Sequence, residues 1–221
     1  MSLSQDLFTV IRTGDSVQLT TLLAEQPALV NVRSPQGISA VLWAHYTGQT
    51  DLLPTLLAAN PQLDIHDMAA MGDLSRLRAL LADNPSLARA YSRDGFTALH
   101  YVAFFNGSTD LASSLLEAGA EVDAVARNEQ QVTPLHSAAA HRHNAVIQLL
   151  LAHGANVNAR QENGETPLME AAQNGDTALV GDLLARGADP MLATDDGRTA
   201  ANFAATAGHA DLAATLRGKM A

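Results

Sequence analysis

Hydrophobic positions along this chain return in a fixed frame. Paired leucines stand at Leu22-Leu23, Leu56-Leu57, Leu80-Leu81, Leu115-Leu116, Leu150-Leu151 and Leu183-Leu184. Eight positions before each first leucine stands a turn residue: Gly14, Gly48, Gly72, Gly107, Arg142 and Gly175. A further unit runs from Gly208 to Leu216. The turn positions are spaced by 34, 24, 35, 35, 33 and 33 residues. Periods of this length mark repeat architectures, in which each unit is one small supersecondary element. About seven units fit in a single domain, over residues 1–34, 35–62, 63–92, 93–127, 128–160, 161–194 and 195–221.

Each unit resolves into a helix, a turn, a second helix and an extended tip. Thr97, Thr133, Thr166 and Thr199 stand where a helix begins and read as N-caps. Pro134 and Pro167 follow at the first helical position, where the missing N–H is not needed. Alanines such as Ala138-Ala139 and Ala171-Ala172 let neighbouring helices approach closely. Gly119, Gly154 and Gly187 end the second helix. Two helices of this size cannot bury their apolar faces alone, so the units must stack. The pattern predicts an all-α repeat solenoid.

Two stretches carry a family resemblance: Thr133-Pro134-Leu135-His136-Ser137-Ala138-Ala139 and His153-Gly154-Ala155-Asn156-Val157-Asn158-Ala159. They are similar to the ankyrin repeat signature. The likeness is strong from about Arg93 to the C-terminus and rests mainly on the glycine and Leu-Leu frame before it. It implies stacked helix-turn-helix units with short β-turn fingers. It also implies a concave surface that binds a protein partner through finger tips and the exposed part of each first helix.

Departures from the frame are concentrated in the N-terminal half. The third unit passes from Asn60-Pro61-Gln62-Leu63 directly to Asp64, so its finger is expected to be missing, leaving a gap in the row of fingers between units two and three while the helical stack continues. Asp64 or Asp67 would cap the following helix. Gln26-Pro27, Asn60-Pro61 and Asn84-Pro85 replace the usual Gly-Ala and read as one variant helix ending. Unit four carries an extra residue between Thr97 and Gly107, which is expected to bulge the end of its first helix. Arg142 occupies a glycine turn position and predicts a strained or altered turn.

Composition and charge narrow the function. The chain has 221 residues, 47% hydrophobic, enough for a sizeable core and not a disordered composition. A net charge of -10 with singly scattered arginines disfavours nucleic acid. No apolar run is long enough to span a bilayer. Without cysteine there is no disulfide or thiol chemistry. The expectation is a cytoplasmic protein with no membrane association. Ser2, Ser4, Gln5 and Asp6, read as lying before the first helix, and Arg217-Gly218-Lys219 at the other end are polar enough to close the stack and favour a monomer.

Candidate chemistry is sparse. His66, His100 and His136 share the histidine slot of the repeat, and repetition at one phase marks a structural tie between loops. His141 and His143 alternate near a turn, but no local carboxylate completes a metal set. There is no phosphate-cradling glycine loop and no nucleophile elbow, so neither catalysis nor a cofactor is implied. Partner-binding candidates are Ile38, Trp43, Tyr46, Met71, Phe96, Tyr101, Phe104, Phe105, His141, Gln173 and Asn174. Aromatic residues cluster from Trp43 to Phe105 in a chain only 4% aromatic. Two readings stay open at this point: a recognition surface over units two to four, or side chains that repair packing around the irregular units. Burial separates them. The function expected is a non-catalytic protein-interaction module, with a self-associating structural protein as the second reading.

Overall fold

Seven antiparallel helix pairs stack side by side in the computed structural model, which describes residues 3–220. The first helices are Leu3–Thr13, Ala40–Tyr46, Ile65–Met71, Ala98–Tyr101, Pro134–Ala140, Pro167–Gln173 and Ala200–Thr206. Each packs on the next. Behind them run Ser16–Glu25, Leu53–Ala58, Leu74–Asp83, Thr109–Glu117, Asn144–Ala152, Thr177–Ala185 and Ala210–Gly218. Among the described residues no helix is long and apolar enough to cross a membrane. The first helix already includes Ser4, Gln5 and Asp6, which the sequence pattern places before it, while Ser2 lies outside the described residues.

Local chemistry accounts for the helix starts. Thr97, Thr133, Thr166 and Thr199 are extended N-caps of the first helices, and Asp15, Asp73, Ser108 and Asp176 cap second helices through side-chain oxygens. Asp64 caps Ile65–Met71, and Asp67 returns a bond to the Asp64 N–H, so both acids take part. Arg142 keeps the turn by entering the left-handed region at φ +57°. A non-glycine residue there carries strain. Its guanidinium, however, donates to the Asn174 carbonyl of the next unit.

The three proline endings are not alike, contrary to the sequence pattern. Pro27 and Pro85 open short 3-10 helices, Pro27–Asn31 and Pro85–Arg89. Asn60 instead turns left-handed at φ +56°, and the chain reaches Asp64 at once. The short link leaves no residues for a 3-10 turn or a finger.

The missing finger does not leave the finger row open. Elsewhere successive fingers bond through their backbones: Arg127 N–H to Gly95 O (2.8 Å), Glu162 N–H to Gln130 O (3.0 Å) and Asp195 N–H to Asn163 O (2.9 Å). Across the irregular unit, finger two meets finger four directly. A Cβ placed on Gly37 would lie 2.2 Å from Arg93 Cδ, so the aliphatic stem of Arg93 rests on a glycine that has no side chain to offer. Beneath this contact remains a cavity of about 270 Å3 lined in part by Arg33, Asp64 and His66.

The apolar core falls into two clusters that meet at the same place. One joins units one and two through residues such as Leu7, Ile11, Leu19, Val41 and Leu56. The other runs from Ile38 and Leu42 through to Leu216. Trp43 and Leu63 pack against both.

In unit four the extra residue is absorbed as a π-helical turn, Val102–Asn106, continuing Ala98–Tyr101. A π turn widens the helix by one residue per hydrogen-bonded ring and changes which way its side chains point. Phe104 and Phe105 sit on it.

Candidate functional site

The fingers and first helices of units four to six, with Tyr46 of unit two, line a cavity of about 580 Å3. Its aromatic wall is built by Tyr46, Phe96, Tyr101, Phe104 and Phe105. Gln161, Glu162, Glu165 and Glu170 line it as well. Gly107, at φ +61°, stops the π turn and fixes the direction of the two phenylalanines.

The aromatic residues divide by burial. Tyr101 is only 2% exposed, its ring stacked on Phe105 at 6.1 Å and its hydroxyl donating to Asp94 at 2.7 Å. Ile38 is likewise buried, at the base of finger two. These two candidates therefore do not stand out from the surface, because the closing of finger two onto finger four covers that region. Trp43 is half-buried and turned toward unit one, its indole N–H on the Phe8 carbonyl at 3.1 Å and its ring edge-on to Phe8. Phe96, Phe105 and Met71 are half-buried. Tyr46 and Phe104 are each 37% exposed and 6.5 Å apart. The cluster thus divides: Tyr101 and Trp43 fill packing space, and Tyr46 and Phe104 present surface.

His141 is exposed and lies 4.0 Å from the Phe104 ring centre, extending the aromatic strip into unit five. The His143 ring is 6.2 Å from it. Among the described residues no group of three or more potential ligands gathers as a metal site would require. Gln173 is exposed. Asn174 is engaged internally, its amide donating to the Ala139 and Ala140 carbonyls at 3.2 and 3.1 Å. Asn106 does the same for Ala69 and Ala70. These asparagines supply donors to carbonyls at the end of the preceding first helix, where intrahelical donors run out.

The histidines knit units together. His100 Nδ1 accepts from the Thr97 N–H at 3.2 Å, and Nε2 meets the Val132 carbonyl at 3.0 Å. His136 repeats this with Thr133 and the Glu165 carbonyl. Donation to a carbonyl requires the proton on Nε2, so each ring is a neutral tautomer. Burial pushes both rings down to about 4. His66 departs from the expected slot: it is the second residue of its helix, and Asp67 stands third. Its Nε2 still reaches the Ala90 carbonyl at 3.1 Å. Burial opposes its charge, but the Asp64 carboxylate 3.3 Å away outweighs that and holds its pKa above the ordinary value.

Asp94 and Glu170 are absent from the candidates drawn from sequence. Asp94 accepts from Tyr46 at 2.9 Å, from Tyr101, and from the Ser92 hydroxyl. Glu170 stands four residues after Thr166, the phase that Trp43 holds after Ser39 and Tyr101 after Thr97. That shared phase was the available signal. Burial, then the neighbouring Glu165, raises the Glu170 carboxyl above the usual range.

A family model for ankyrin repeats in three copies matches residues 65–161, and one for ankyrin repeats in many copies matches residues 150–204. The chain belongs to the ankyrin repeat family. Stacks of this family are scaffolds for protein–protein interaction, and the cavity lies on the finger side of this one. The Probable E3 ubiquitin-protein ligase XBOS31 of Oryza sativa subsp. japonica is 42% identical over 97 residues, covering 43% of this chain and 21% of its own length. The E3 ubiquitin-protein ligase XB3 of the same plant is 44% identical over 98 residues, or 42% of this chain and 21% of that protein. The Putative E3 ubiquitin-protein ligase XBAT31 of Arabidopsis thaliana is 28% identical over 174 residues, 69% of this ankyrin chain and 38% of the relative. The chain thus spans between a fifth and two fifths of these relatives.

Proposed function

We propose that this ankyrin stack is a non-catalytic module that binds a protein partner on its concave face, over units four to six, and works as a monomer. The observation that carries this is the cavity of about 580 Å3 walled by Tyr46, Phe104 and Phe105 between fingers and first helices. Aromatic side chains at the edge of a preformed pocket are the residues that most often carry binding energy. Held by stacked units, they lose little freedom on binding. The last helix supports the monomeric reading: it buries Leu212, Ala213 and Leu216 and exposes Asp211, Thr215 and Arg217. The likeness to proteins named as ubiquitin ligases covers a minor part of their length. It supports partner recognition here and brings no ligase chemistry with it.

The test is a pull-down with wild-type protein and a folded Tyr46→Ser, Phe104→Ser double variant. A partner retained by wild type and lost by the variant supports the surface. Equal recovery by both overturns it.

A further inference from the structure

The groove holds two carboxylates with no cation between them. Gln161 Nε2 donates to Glu165 Oε2 at 2.5 Å and reaches toward Glu170 Oε1 at 3.4 Å. That amide is the bridge between the two acids. Glu162 adds a third acid at the rim. Among the described residues no lysine or arginine lines the cavity. The arginines of the neighbouring fingers are occupied elsewhere, Arg160 beside Asp195 and Arg198 on Asp196. The rings of Phe104 and Phe105 line the same cavity.

Acids and aromatic rings lining one cavity suit a planar cation. A guanidinium has donors to reach two carboxylates and a flat face to lie on a ring. An ammonium is a compact, strongly hydrated charge that uses the aromatic wall less well. The acidity is also local: Asp94 already accepts from two tyrosines and a serine, whereas Glu165 and Glu170 share one amide. We propose that the groove takes an arginine side chain from a basic segment of the partner protein, its guanidinium held by Glu165 and Glu170 and stacked on the Phe104–Phe105 wall. This inference rests on the concave face being the binding face.

Fluorescence anisotropy with labelled octapeptides of alternating arginine and glycine, lysine and glycine, or glutamate and glycine tests it. The arginine peptide is expected to bind saturably and more tightly than the lysine peptide, with no binding of the glutamate peptide. Glu165→Gln with Glu170→Gln is expected to weaken the arginine peptide at least tenfold. Glu25→Gln with Asp211→Asn removes the same charge from exposed sites far from the groove and is expected to change affinity by less than twofold. Absence of saturable binding, equal affinity for arginine and lysine peptides, or equal weakening by the two charge pairs overturns the proposal. A partner still captured through Tyr46 and Phe104 but indifferent to Glu165 and Glu170 would leave the binding face standing and remove the arginine alone.

Discussion

The Tyr46 hydroxyl donates to Asp94 Oδ2 at 2.9 Å, joining unit two to the finger of unit four across the unit that has no finger. It is one of the contacts that close the row. Tyr46→Phe keeps the ring against Phe105 and removes this bond. The expected loss of stability is about 1–2 kcal/mol, the low end for a hydrogen bond to a charged acceptor because the pair is partly exposed. Urea unfolding measures it, and an unchanged midpoint would show that the bridge contributes nothing.

Tyr101 and Phe104 are three residues apart and should respond oppositely. Tyr101→Ala empties a fully packed site and leaves Asp94 short of a donor, so a loss of roughly 3–5 kcal/mol is expected. Phe104→Ala removes a ring that is partly in solvent, and a loss of about 1 kcal/mol or less is expected. Partner binding should fall with Phe104→Ala. Thermal melts beside binding curves separate the two effects.

The buried histidines set a pH dependence. His100 and His136 have folded pKa values of about 4 against an ordinary 6.5. Between those values the unfolded chain binds more protons, so stability falls as pH drops through this window and the contribution is gone below it. Each ring accounts for up to roughly 3 kcal/mol. In unit seven Asn202 fills the same capping position, accepting from the Thr199 N–H at 2.9 Å. His136→Asn should therefore keep the cap, lose the tie to Glu165, and flatten the acid limb of the stability curve. An imidazole NMR titration should find His66 holding its proton to higher pH than His100 or His136, since Asp64 raises it. The contribution of His66 runs the other way: it is present at low pH and lost as pH rises past the ordinary histidine range.

Asn174→Ala leaves the Ala139 and Ala140 carbonyls without their amide donor. A loss of about 1–2 kcal/mol is expected, with little effect on binding. Hydrogen exchange should rise first at the end of Pro134–Ala140. If partner affinity falls while stability holds, Asn174 belongs to the recognition surface after all.

Several elements were open to reading from sequence because their causes are local. Threonine caps, proline at the first helical position and left-handed turns depend on a few neighbouring residues, and Thr133-Pro134 or Gly175 carry them wherever the repeat occurs. The histidine slot was readable at His100 and His136 for the same reason. It misleads at His66, where the short link lets Asp64 start the helix and moves Asp67 into the third position. Glu165 was readable as a finger position, but Glu170 and the pairing of the two acids in the groove were not. Glu165 and Glu170 are five residues apart in the chain, and nothing in that spacing shows that Phe104, from two units earlier, lines the same cavity.

By itself the sequence determined a stack of helical pairs, the place where a finger is missing and the residues that cap each helix, since periodic burial and capping are properties of segments. Tertiary structure alone decided that fingers two and four meet, that the extra residue becomes a π turn, and that Tyr46 and Phe104 face outward while Tyr101 and Ile38 do not. Those outcomes depend on which unit lies beside which, and side chains from different units compete for the same space only after the stack has formed.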